Sequence, residues 1–276
     1  MMRSLWTAAS GMRAQQVNVD TIANNVANIN TIGYKTQQAS FKSLLYQNLQ
    51  STSTNNAGEN KPVAAEVGLG SRVAAITGTF TQGNLTHVEN PFSVALEGDG
   101  FFQIRTESGE LQYTRDGSFE ISPVANGNML CTSDGNPVLD VYGNEIILPS
   151  NRVATDMVVN EDGTLAFPDA TGNPAVLTDA NGRPVKFGIY QFNNPAGLSK
   201  EGSNNYSVTA ASGAAVAENG NAAVKQTKIH QYYTEASNVD VANEMVNLIV
   251  AQRAYEMNSK AIQASDEMMQ QANALR

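Results

Sequence analysis
Leu5, Met12, Val19 and Val26 recur at every seventh position, and Ala8, Gln15, Ile22 and Ile29 form a second row three residues on. All but Gln15 are apolar, so residues 1–33 read as one long helix that buries a narrow heptad seam against another helix. Gln16, Asn18, Asp20, Asn24, Asn25 and Asn28 supply soluble remaining faces. The other end of the chain repeats the pattern. Between Asn238 and Leu275, Val241, Leu248, Tyr255, Ile262 and Met269 fall at every seventh residue, beside a row of Ala254, Ala261, Met268 and Leu275. At 1.5 Å per residue the two helices would be roughly 40 and 55 Å long. An isolated amphipathic helix gains little from propensity, so each seam needs a partner. The seams are expected to pair with each other and with sister copies, through Leu5, Met12, Val19, Ile22, Val26, Ile29, Val241, Leu248, Tyr255, Ile262 and Met269.

Between the ends the period changes. All nine prolines lie between Pro62 and Pro195, and glycine is similarly concentrated there. These residues punctuate turns and disfavour helix interiors. Gly11 must be absorbed by the first helix, and Gly33 sits where its C-cap is expected. Residues 34–50 are mixed, either a short helix through Phe41, Leu44, Leu45 and Leu49 or an extended segment. Residues 51–62, polar and without aromatics, read as a linker. Residues 66–85 alternate as strands. From about residue 90 to 228 short apolar runs alternate with turn signals. Gly98-Asp99-Gly100 and Asp116-Gly117 each suggest a hairpin. Further turn signals are Asn126-Gly127, Asp134-Gly135, Gly143-Asn144, Asp162-Gly163, Gly172-Asn173 and Asn181-Gly182. The expected class is α+β: terminal helices in a coiled-coil-like domain around a central, antiparallel sandwich- or barrel-like β domain. The expected division is 1–33, N-terminal helix; 34–85, extended region; 86–228, β domain; 229–276, C-terminal helix.

A net charge of −9 argues against nucleic acid, whose phosphates demand a basic surface. Residues 1–50 carry four basic and one acidic side chain, residues 229–276 three basic and six acidic, a modest bias towards pairing of the ends. The single Cys131 excludes an intrachain disulfide. No run approaches the roughly 18 apolar residues of a membrane span, so no membrane insertion is expected. Ser4, Thr7, Ser10 and Arg13 break any signal-peptide core.

Catalytic chemistry is hard to assemble from these residues. His87 and His230 lack the neighbours that a zinc site requires, and no window has the spacing of a calcium loop. Nucleophile-elbow and phosphate-loop motifs do not occur. Glu97 and Asp99 could be proposed as a glycosidase carboxylate pair, but both sit at an apparent turn. No catalytic, metal or cofactor site is therefore expected. An adhesin-like binding module built on the β domain is the alternative of another class. Two unsatisfied seams on one chain favour self-association, and a head-to-tail interface that does not close gives a helical filament.

Ala23-Asn24-Asn25-Val26-Ala27-Asn28-Ile29-Asn30-Thr31-Ile32-Gly33-Tyr34-Lys35 resembles the N-terminal signature of the bacterial flagellar rod and hook axial family. GDGFF at 98–102, YTRDGSF at 113–119 and SNVDVANEMVNLIVAQRAYEMNSKAI at 237–262 resemble its middle and C-terminal blocks. These motifs are long, specific and spread over the whole chain. The opening SLWTAASGM, LLYQ at 44–47 and the chain length are most similar to the distal-rod branch; proximal rod and hook subunits are the neighbouring alternatives. The resemblance implies a structural subunit that transmits torque and leaves through the flagellar type III export apparatus with its N-terminus uncleaved. It implies an inner tube of terminal helices, with copies of itself, other rod proteins, the hook protein and basal-body ring proteins as partners. It also implies that residues 46–67 form a rod-specific stiffening loop, although their polar composition departs from a strongly ordered segment and suggests disorder before assembly.

Overall fold
The computed structural model describes residues 2–50, 65–125, 127–150, 152–168, 174–179, 182–220 and 224–274. It has an N-terminal helix, a mostly β middle and a C-terminal helix. The linker expected at 51–62 lies outside the described residues, as do parts of the turns expected at Asn126, Gly172 and Asn181. The chain divides into two compact units. One comprises Met1–Ala27, Gln37–Gly78 and Asp240–Arg276, the other Asn28–Thr36 and Thr79–Val239.

The first unit is built on helix α1, Met2–Ala27. The helix stops short of Gly33, because Asn28 turns the chain: its carbonyl accepts the Thr31 N–H at 3.2 Å, and its side-chain oxygen accepts the Thr31 hydroxyl at 3.1 Å. Ile29 continues the heptad count but not the helix. Residues 34–50 prove extended. Strand β1, Gln37–Ser43, is followed by β2, Tyr46–Gln50; β3, Ala65–Gly68, is followed by β4, Ser71–Gly78. β1 pairs antiparallel with β4 along its whole length, with a bulge at Ser40/Phe41, and β2 pairs with β3. Only these paired flanks of the expected 46–67 loop are described. The Thr7, Ser10, Ala14 and Thr21 flank of α1 faces the hairpin. There the Ser71 N–H donates to Ser10 Oγ at 3.3 Å, and Ala14 and Thr21 are buried. Helix α2, Val241–Ala274, begins after Asp240, whose carboxylate accepts the Ala242 and Asn243 N–H groups as an N-cap.

The second unit contains the remaining strands. They run β5 Leu85–His87, β6 Val94–Glu97, β7 Phe101–Arg105, β8 Leu111–Thr114, β9 Glu120–Val124, β10 Gly127–Cys131, β11 Ile147–Leu148, β12 Val158–Val159, β13 Leu165–Pro168 and β14 Pro174–Val176. Then follow β15 Ile189–Gln191, β16 Ser199–Gly202, β17 Asn205–Ser207, β18 Val216–Ala217, β19 Lys228–Gln231 and β20 Tyr233–Glu235. All described pairings are antiparallel. The largest sheet runs β16-β17-β8-β7-β15-β18, accompanied by three-stranded β11-β10-β9 and β12-β13-β14 sheets and the pairs β19-β6 and β20-β5.

Two expected hairpins are not hairpins. β6 pairs with β19 and β7 with β8 and β15, so Gly98-Asp99-Gly100 joins two sheets. Its glycines allow close approach to Thr227, whose hydroxyl accepts the Gly100 N–H at 3.1 Å. Likewise β8 and β9 pair elsewhere, and Asp116 makes an Asx turn by accepting both the backbone N–H and the hydroxyl of Ser118. β7 shows why the sheet is covered on both faces. Successive side chains alternate, so Phe102 and Ile104 enter a core with Phe119, Leu130 and Phe187, while Phe101 enters a second with Tyr113, Phe192 and Tyr206.

Candidate functional site
Two regions gather the residues singled out by the sequence. The first is the helix pair. Ser4 Oγ lies 3.4 Å from Ser265 Oγ, a side chain at Gly11 would meet the Asn258 amide, and Asn25 Nδ2 donates to Glu244 Oε2 at 3.4 Å. Each step of seven along α1 is answered by seven back along α2, so the helices are antiparallel and in fixed register. The same register sets Asn18 opposite the buried Ala251. The contact rows are therefore small and polar: Ser4, Gly11, Asn18 and Asn25 against Ser265, Asn258, Ala251 and Glu244. Sequence reading missed them because it weighted apolar residues. The recoverable signal was a second heptad row of small residues directly beside Leu5.

The expected interface residues distribute around this seam. Ile22 and Ala8 are buried. Leu5, Met12, Val19 and Val26 are partly buried, as are Leu248, Ile262 and Met269. Val241 and Tyr255 are exposed, and Ile29 lies beyond the helix in the other unit. What the helices do not cover is extensive. Trp6 is 75% exposed, and Val246, Ile249, Val250, Met257 and Met268 are all at least half exposed. Large apolar side chains left this exposed along one helix are the mark of an interaction surface.

The asparagines have distinct tasks. Asn25 is buried; its Oδ1 accepts the Gln37 N–H at 2.9 Å and its Nδ2 donates to the Gln37 carbonyl at 2.8 Å. It thus acts as a one-residue strand for β1. Asn24 is exposed, and Asn28 caps the turn. Ala23 is exposed on α1, and Tyr34 is buried.

The second region joins the three motif blocks inside the β unit. The Lys35 and Glu235 side chains are each 1% exposed, and Nζ donates to Glu235 Oε1 at 2.6 Å and to the Thr81 carbonyl at 2.9 Å. Arg115 Nη1 reaches Glu235 Oε2 at 3.5 Å, and its guanidinium lies 4.9 Å over the Phe101 ring. The Gly83 N–H also donates to Glu235 Oε1. One carboxylate therefore serves two buried cations, and Arg115 Nε has no hydrogen-bond partner among the described residues. Burial lowers the Lys35 pKa, against the Glu235 carboxylate, which raises it; Arg115 lowers it further. Beside this cluster Gly33 takes φ of 69°, donates to the Glu235 carbonyl and packs against the Arg115–Asp116 backbone. It is a docking glycine rather than the helix C-cap expected. Asn238, also expected within the helix, accepts the Thr36 N–H and hydroxyl, each at 2.7 Å, and donates to the Thr79 and Thr81 carbonyls. Sequence reading assigned no role to Arg115, Glu235 or Asn238, although all three lie in or beside quoted motifs.

Glu97 and Asp99 are exposed, and Glu97 is engaged by His230 Nε2 at 2.7 Å, which lowers its pKa. Among the described residues no three His, Cys, Asp or Glu side chains are grouped to hold a metal, and no helix is long and apolar enough to cross a membrane.

An antiparallel helix pair with exposed apolar faces, beside a β unit pinned by buried ions, is the arrangement of a structural, assembly-forming class. Comparisons with known proteins give the particular family. Residues 5–35 match the family described as flagella basal body rod protein, 95–167 the flagellar hook protein FlgE/F/G D1 domain, and 230–275 the flagellar basal body rod FlgEFG protein C-terminal family. The chain is 43% identical to the flagellar basal-body rod protein FlgG of Borreliella burgdorferi, over 100% of this chain and 99% of that protein. It is 38% identical to FlgG of Caulobacter vibrioides over the full length of both. It is 32% identical, again over both full lengths, to the flagellar hook-basal body complex protein FlhP of Bacillus subtilis. The chain belongs to the flagellar basal-body rod protein family.

Proposed function
We propose that the protein is the structural subunit of the distal rod, located in the flagellar basal body, where copies assemble into a hollow helical tube that transmits torque to the hook. The observation carrying this reading is the uncovered apolar surface of α2, where Val246, Ile249, Val250 and Met257 face solvent while α1 occupies only one side. The terminal helices act as coiled-coil elements of the tube wall, with Leu5, Met12, Val19, Ile22, Val26, Leu248, Ile262 and Met269 at or beside their shared seam. Tyr255 and Val241 serve contacts between copies, and Ile29 the turn that follows α1. The central β unit, of the antiparallel sandwich or barrel kind, is a spacer that makes and breaks no bond. Its partners are the neighbouring rod proteins, the hook protein and, where present, ring proteins around the rod, and it reaches them through the flagellar type III export apparatus. The segment from about residue 46 to 67 is the stretch that stiffens the rod by contact with neighbouring copies.

Electron microscopy of basal bodies from a strain lacking the chain tests this reading. A truncated rod without a hook is expected, restored by the wild-type chain and not by Leu248→Asp. Complete rods in the deletion strain would refute it.

A further inference from the structure
The contact rows of the helix pair fix the direction of everything else on α2. Ala251, Asn258 and Ser265 face α1. At 3.6 residues per turn, each position is turned about 100° from the next, so residues just before and just after a contact row lie on opposite flanks. On one flank stand Val250, Met257 and Ala264, each one position before the row, and Ala261 and Met268, each three positions after it. This is a strict heptad ridge, and it is exposed: 61% at Val250 and 65% at Met257. On the other flank α1 and α2 enclose an open groove of about 400 Å³, lined by Gln16 and Val19 from α1 and Gln252, Tyr255 and Glu256 from α2. The groove also borders the partly buried row Leu5, Met12, Val19 and Val26.

We propose that successive copies join front to back, the α2 ridge of one copy entering the α1–α2 groove of the next. This rests on the self-assembly reading and specifies its interface. The occupant is a second copy because the ridge matches the groove in kind. The ridge offers apolar knobs at alternating spacings of three and four, with alanines that permit close approach, and the groove is itself formed by two helices in heptad register. The charges are complementary as well. Arg253 and Lys260 stand exposed, seven apart, beside the ridge, and Glu256 lines the groove. Because ridge and groove occupy opposite flanks, no two-fold pairing satisfies both. The contact is heterologous and propagates.

The test uses the full-length chain in a motile strain deleted for its own copy. Arg253→Glu makes the ridge border acidic and leaves the groove acidic; Glu256→Arg makes the groove basic and leaves the ridge border basic. Each variant alone meets like charge at every joint, and swim-zone area is expected to fall about tenfold. Expressed together, the two variants can alternate with opposite charges at every joint, and swimming is expected to return. Both positions are exposed, so circular dichroism of each purified variant should match wild type. Disulfide linkage between copies bearing Val19→Cys and copies bearing Val250→Cys, formed in the mixture and absent from either alone, gives the same contact by distance. Normal swimming by either single variant, co-expression no better than the singles, or a Val250→Cys copy linking only to a different protein would overturn the proposal. A wild-type chain that builds no rod overturns the self-assembly reading instead.

Discussion

Glu235 neutralises two cations at once, which makes Glu235→Gln the most discriminating change in the β unit. The substitution keeps the shape of the side chain and its capacity to accept from Gly83, but strips the countercharge from Lys35 and Arg115, both buried. Removing one partner of a buried pair costs about 3–5 kcal/mol, because the remaining charge is left uncompensated. For a unit of this size each kcal/mol shifts the midpoint by about 2–4 °C, so a fall of roughly 6–20 °C is expected. Lys35→Met leaves Arg115 paired with Glu235 and fills most of the lysine volume. Its loss is confined to the hydrogen bond to Thr81 and the ion pair, about 1–3 kcal/mol. The order of the two variants is thus the sharp expectation. A pH signature accompanies it. The folded Lys35 pKa is lowered, so between it and the unfolded value the unfolded chain binds more protons, and stability rises as pH rises through that window. Without Glu235 the main group raising that pKa is gone, the window opens at lower pH, and the deficit of Glu235→Gln shrinks towards alkaline pH. Thermal unfolding followed by near-ultraviolet dichroism of the tyrosines at several pH values measures both effects. A Glu235→Gln chain that melts with wild type, or above Lys35→Met, would refute the account of the cluster.

Asn25→Ala removes two hydrogen bonds to the Gln37 backbone in a buried setting and should cost about 2–3 kcal/mol, read as a lower urea midpoint for the helical unit. Gly33→Ala places a Cβ 2.9 Å from the Arg115–Asp116 backbone at positive φ, and a loss of at least about 2 kcal/mol is expected in thermal unfolding of the β unit. Burial pushes the Tyr206 phenol up to about 12, so its contribution is intact below pH 10 and is lost as pH rises through 12. A loss of roughly 2–3 kcal/mol across that interval, smaller in Tyr206→Phe, should appear in alkaline unfolding curves.

The helices were legible because the heptad period is a local property, repeated often enough to outweigh Gly11. Their ends were not. Ile29 kept the count while Asn28 had already turned the chain, and Asn238 looked helical although Asp240 starts α2. The hairpins were misread for a related reason. Gly98-Asp99-Gly100 between apolar runs has the local chemistry of a hairpin, but β6 finds its partner in β19, more than a hundred residues away. Local pattern specifies a strand and leaves its partner open. The ion cluster is the extreme case, since Lys35 and Glu235 are 200 positions apart and nothing adjacent to either marks it as buried. What the sequence did carry was co-occurrence: the Tyr34-Lys35, Tyr113–Phe119 and Ser237-Asn238 motifs meet inside the β unit, where Lys35 and Arg115 share Glu235 and Asn238 holds Thr36.

The distribution of apolar side chains on the helices decides how such a subunit behaves. Its internal seam uses serine, glycine, asparagine and glutamate, whose hydrogen bonds contribute about 0.5–1.5 kcal/mol each and fix register more than affinity. The large residues of its exposed ridge, Val250, Met257 and Met268, point elsewhere, and since each is already a third to a half buried, covering the rest would contribute about 1–2 kcal/mol apiece. One joint between copies can therefore offer on the order of 3–6 kcal/mol gross from these knobs, against an association cost of about 4–15 kcal/mol. A single joint is marginal. A copy entering a growing helical array meets more than one neighbour while losing its translational freedom once, so the second joint adds its burial with little further cost. The same surface that leaves two free copies weakly associated makes the end of an existing rod a strong site, which favours elongation over spontaneous nucleation.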